Sequence, residues 1–121
     1  MKLYRLMKVN RLDGKPRVGT SYGTLGVRPP GRGVGLVADI QVDANGNVQP
    51  GTDGLSTFDT QLPPDKTHAV WVIDSEEISA SLTVIESLDT PGRWHITPGR
   101  EMPLSEYQDL LADTRDLWEQ V

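Results

Sequence analysis

The chain has 121 residues, with 12 Lys and Arg against 17 Asp and Glu for a net charge of -5, and no cysteine. That length fits one domain, 1–121, with a single hydrophobic core, and the lack of thiols excludes disulfide staples and thiolate metal sites. The longest apolar run, residues 69–73, is too short to cross a bilayer, and Lys2, Arg5 and Lys8 interrupt the N-terminal apolar residues where a signal peptide would keep them continuous. The expected location is therefore a reducing cytoplasm, without a signal peptide or a membrane anchor.

The charge is unevenly spread. Residues 1–33 hold eight Lys or Arg and one acid, Asp13, whereas the remainder holds four bases and sixteen acids. Such a basic segment either contacts phosphates, which Arg grips bidentately, or pairs with the chain's own acids. Net acidity argues against tight nucleic-acid binding, and only Tyr4 and Tyr22 interleave with the bases, so nucleic acid ranks last among the partners.

In chain order, 2–9 alternates as a strand with Leu3, Arg5, Met7 and Val9 on one face. Seven glycines and three prolines between Gly14 and Gly35 exclude regular helix and predict loop with short extended pieces. Residues 36–42 offer a strand, Asn45 and Gly46 a turn, and Val48 the return strand of a hairpin. Residues 69–73, β-branched and aromatic without alternation, predict a central strand buried on both faces. Ser75, Glu76 and Glu77 suit a short helical turn, 82–85 a strand and 93–97 another. One helix is predicted from Leu104 to about Glu119, with Leu104, Tyr107, Leu111 and Trp118 on its apolar stripe and Ser105 and Gln108 at capping-box spacing. The fold class is α+β.

Motifs of common chemistries are missing. Gly31, Gly33 and Gly35 follow Pro29 and Pro30 rather than a strand, so they make no dinucleotide fingerprint. His68 and His95 lack the spacing of a zinc site, no metal is expected, and no serine sits in a nucleophile elbow. Two features stand out instead. Arg5 shares a strand face with apolar residues, so it must be paired, snorkel or line a cleft. In the segment 53–59, Ser56 and Thr57 follow Gly54 and Leu55 and precede Phe58, the only phenylalanine, which places small polar groups beside an aromatic plane as a flat heteroaromatic ring and its sugar require.

The order of Leu3, Tyr4 and Arg5, then Ala38, Asp39, Ile40, Gly46, Val48, Pro50, Thr52, Gly54, Ser56, Phe58 and Asp59, and finally Trp94, Ile96, Pro98, Met102 and Tyr107 resembles the small ADP-ribosyltransferase-type toxins delivered by bacterial type VI secretion. The resemblance spans nearly the whole chain but thinly, and the block from Asp39 to Asp59 is its most specific part. It implies ADP-ribosyltransferase-like split β-sheets with a C-terminal helix and NAD, as substrate, held between the sheets. It implies a cognate immunity protein as partner and an unidentified acceptor of ADP-ribose.

Under this resemblance Arg5, Ser56 and His95 are the catalytic candidates, and Arg5, Ser56, Thr57, Phe58 and Arg93 contact NAD, with Arg5 on the pyrophosphate or ribose, Ser56 at the nicotinamide ribose and Phe58 stacked on the nicotinamide. Arg93 stands where the family has a histidine, His95 lies two positions on, and only one of the two is expected to face the cleft. Leu55 replaces the family's hydroxyl residue before Ser56. Glu76, Glu77 and Glu101 are candidates for a third catalytic position. The other function class compatible with the sequence is a non-catalytic protein-binding module of degenerate transferase fold, whose acidic C-terminal helix would hold a basic partner.

Overall fold

A computed structural model describes residues 1–31, 35, 37–51 and 53–121. Alternation in the first segment yields β1 (Lys2–Met7), in which Leu3 and Met7 have no exposure at all. The chain continues through β2 (Asn47–Val48), β3 (Leu55–Phe58), β4 (Ala69–Asp74), β5 (Leu82–Glu86), β6 (Arg93–Pro98), β7 (Met102–Pro103), helix α1 (Leu104–Asp113) and β8 (Glu119–Gln120). The architecture is α+β, with a mostly antiparallel sheet and one C-terminal helix. No helix among the described residues is long and apolar enough to cross a membrane.

The main sheet has the order β5-β6-β3-β1-β4-β8, and β2 pairs with β7 apart from it. Its two sides are well laddered: β1 pairs β4 from Lys2 opposite Asp74 to Met7 opposite Ala69, and β3 pairs β6 from Leu55 opposite Ile96 to Phe58 opposite Arg93. Between them β1 and β3 meet only where Tyr4 faces Phe58. Two three-stranded halves are thus joined by a single residue pair.

Strand alternation carried across these registers puts Leu3, Met7, Leu55, Trp71, Ile73 and Ile96 on one face of the sheet, and all six belong to the buried core. Helix α1 covers that face with Tyr107 and Leu111. The opposite face carries Tyr4, Ser56, Phe58, Arg93 and His95.

Gly54 opens β3 with φ +139°, and a Cβ there would lie 2.5 Å from the Ile96 carbonyl oxygen and 2.7 Å from the Tyr107 hydroxyl. Only glycine lets the strand come this close to Tyr107, whose hydroxyl donates to Ile96 O and accepts from Leu55 N at 3.2 Å. The helix is thereby fastened to the strand that carries Ser56.

Several expectations need correction. Helix α1 stops at Asp113, because the Thr114 hydroxyl takes the Leu111 carbonyl at 2.6 Å and receives the Trp118 indole N–H at 3.0 Å; a 3₁₀ turn at Arg115–Leu117 then swings Trp118 into the core. No side chain caps the helix start at Pro103; Gln108 instead spans the Val27 backbone, accepting from its N–H and donating to its carbonyl. The turn at Gly46 is present, with Gly46 N donating to Asp43 O, but the described residues 37–42 form no strand and Val48 pairs with Met102. Leu36 and Gly33 lie outside the described residues. Strand β4 is penultimate rather than central; Val70 and Trp71 do bury its two faces, while Val72 stays half-exposed.

Candidate functional site

The ladder between the sheet halves ends at Tyr4 and Phe58, and Arg5 is the next residue of β1. Its Nη1 donates to the Ser56 carbonyl at 2.9 Å and its Nη2 to the Thr24 carbonyl at 2.8 Å. The guanidinium thus bridges the split and satisfies a β3 carbonyl that strand pairing does not reach. Burial pulls Arg5 down to about 10, with the nearby Asp39 charge opposing, so it stays cationic at neutral pH.

From the other side, Arg93 Nη2 donates to Ser56 Oγ at 2.8 Å. Ser56 is held by its carbonyl and its hydroxyl, each by a different arginine. The Nε atoms of both arginines are buried without a partner among the described residues. A third cation, Arg28, comes from a loop clip in which Arg28 N donates to Asp39 Oδ2 at 2.7 Å and Asp39 N donates to Arg28 O at 2.8 Å. Gly54 N donates to Asp39 O at 2.9 Å and ties this clip to β3.

Among the described residues, none of Arg5, Arg28 and Arg93 has a carboxylate within salt-bridge distance. Three guanidiniums clustered in a partly dry site, with carboxylates nearby but none in direct contact, repel one another, and a bound anion relieves that repulsion. Cavities of about 390 and about 500 Å³ flank the cluster and share Arg28, Asp39, Ser56 and Arg93. Each falls within the roughly 300–1,000 Å³ of small-molecule sites. The first adds Arg5, Tyr22, Phe58 and Leu62; the second adds Asp53, Asp89 and His95.

Of the sequence-predicted site residues, Arg5, Ser56, Phe58, Arg93 and His95 come together at this groove. Arg93 and His95 do so jointly, contrary to the expectation that one would turn away: two residues apart on β6 they share a face, and both line the second cavity. Thr57 does not take part. It is fully buried on the opposite face, where its hydroxyl donates to Trp94 O at 2.9 Å. Burial shifts the His95 pKa downward, which favours the neutral imidazole at pH 7, and its Nδ1 has no partner among the described residues. Glu76 and Glu77 sit in the 3₁₀ turn after β4, and Glu101 accepts from Gln49 Nε2; neither cavity includes them. The carboxylates at the groove are Asp39, Asp53 and Asp89.

Arg28 and Tyr22 were not singled out as site residues by the sequence, because both lie in the glycine- and proline-rich stretch where no periodicity fixes direction. The basic segment is also less self-neutralised than its surroundings allow. Of its described Lys and Arg side chains only Lys15 pairs, with Asp116, and the Met1 ammonium pairs with Asp74, while Asp13 binds Arg115 from the C-terminal part. No protein-family model matches the chain, and no curated protein is similar to it beyond chance.

Proposed function

We propose that the groove at the sheet split binds NAD and that the chain is an ADP-ribosyltransferase of the split-sheet kind, with NAD as its substrate. The observation that carries this reading is the set of three guanidiniums, Arg5, Arg28 and Arg93, that have no salt-bridge partner among the described residues and lie around Ser56 where the sheet halves separate. A dianionic pyrophosphate matches that charge, and the unpartnered Nε–H groups of Arg5 and Arg93 are donors left over for it. Phe58 and Tyr22, on the wall of the first cavity, offer planes for the flat rings.

In the transfer, the bond between ribose C1′ and the nicotinamide nitrogen breaks and nicotinamide leaves neutral with the bonding pair. The positive charge on the ribose, shared by C1′ and the ring oxygen, calls for acceptors and negative charge nearby. Asp39 and Asp53 supply that charge from the second cavity, and the neutral His95 beside them can accept the proton that an acceptor nucleophile loses as it bonds to C1′. The toxin role, the cognate immunity protein and an acceptor in the target cell are supported by the sequence resemblance alone.

The test is release of nicotinamide. Incubation with NAD, followed by proton NMR, is expected to yield free nicotinamide, and Ser56→Ala is expected to slow it at least about tenfold through loss of the Arg93 bond. Binding of NAD without release would leave a binding module of transferase fold, and neither binding nor release would end the reading.

A further inference from the structure

His68 forms a wall between two cavities. Its ring fills the space a Gly23 side chain would take, Nε2 lying 2.3 Å from the position of a Cβ, and it meets Tyr22 edge-on with ring centres 5.2 Å apart. Tyr22 and Gly23 line the arginine groove, whereas His68 lines a separate trench of about 660 Å³.

The charged side chains of that trench are Lys8, Arg11, Arg17, Lys66 and Asp65. None of the four cations makes an ion pair among the described residues. Asp65, the one acid, is already occupied: its Oδ1 accepts from Thr67 N at 2.9 Å and His68 N at 2.8 Å and lies 3.0 Å from His68 Nδ1. The cations are therefore not held by the acid beside them. They come from both the basic segment and the acidic remainder, which is why the sequence, read segment by segment, did not gather them.

We propose that this trench binds the phosphate backbone of a single-stranded nucleic acid, with Tyr22, which packs edge-on against the His68 wall from the arginine-groove side, presenting a ring to a base that reaches over that wall. The lining favours this ligand over an acidic peptide, since among the described residues Val9, Pro64 and Ala69 are its only apolar members and offer little to peptide side chains. Tyr22 is 66% exposed and free to stack. The trench cations lie outside the arginine groove, and Tyr22 is the residue that the two sites share.

The experiment is fluorescence anisotropy of the full chain with a labelled oligouridylate of about ten nucleotides, titrated across salt. Four phosphate contacts predict a slope of log affinity against log salt near -2.8, a loss of about 50-fold between roughly 50 and 200 mM. Arg17→Gln and Lys66→Gln, both exposed and without side-chain partners, should each reduce the slope by about 0.7, while Lys2→Gln, outside the trench, should leave it unchanged. Absence of binding, a loss with Lys2→Gln as large as with Arg17→Gln, or equal displacement by inorganic tripolyphosphate at matched phosphate would each overturn the assignment.

Discussion

Replacing Tyr107 by Phe removes one oxygen from the centre of the protein. That oxygen donates to Ile96 O and accepts from Leu55 N, and the side chain has no exposure. In the variant the Leu55 N–H is left buried without an acceptor, at about 1–3 kcal/mol, and the bond to Ile96 O is lost, at about 0.5–1.5 kcal/mol. A loss of about 2–4 kcal/mol follows. At roughly 4 °C per kcal/mol for a domain of this size, the melting temperature should fall by about 8–16 °C. Urea denaturation with an unchanged m value would assign the loss to the native state. A loss below about 0.5 kcal/mol would refute the claim that this phenol fastens α1 to β3. Burial drives the Tyr107 pKa strongly upward, so the phenol should not titrate in the folded protein at any pH where the fold persists.

Gly54→Ala places a methyl against the same carbonyl and hydroxyl in a left-handed conformation, and should destabilise by about 3 kcal/mol or more; a variant as stable as the parent would contradict the close approach. Arg5→Ala removes donors to two carbonyls as well as a charge, so both stability, by about 1–3 kcal/mol in urea, and NAD affinity should drop; loss of affinity with no loss of stability would mean the bridge across the split contributes nothing. Asp65 is held down to about 2, first by the Thr67 N–H and then by His68. Its folded pKa lies below its ordinary value of 3.8, so its contribution is present above about pH 4 and lost as pH falls through about 2. Carboxyl-carbon NMR should find its midpoint near 2, and a midpoint near 4 would remove Thr67 and His68 as its partners.

Where a residue's direction follows from periodicity, the sequence was readable. Leu3 and Met7 are buried on the face that alternation assigns, and Arg5 on that same face is explained only by the split that gives its guanidinium somewhere to go. Ser56 and Phe58 reach the groove because β3 alternates, and the same alternation takes Thr57 into the core. The remainder depended on contacts between segments far apart in the chain. Gln108 looked like half of a capping box, yet it reads the backbone of Val27, 81 residues away, and Thr114 ends the helix because Trp118 must turn inward. The clip of Arg28 with Asp39 joins positions eleven apart in the chain, with nothing in their spacing to announce it.

The central claim is that Arg5 and Arg93 grip a pyrophosphate. It is tested most directly by titrating arginine-¹⁵N-labelled protein with NAD and following the side-chain Nε–H signals. Saturable shifts of Arg5 and Arg93 by about 1 mM NAD, lost on Arg93→Gln while the protein stays folded, are the predicted result. Unmoved Arg5 and Arg93 signals at that concentration, or shifts confined to other arginines, would contradict it.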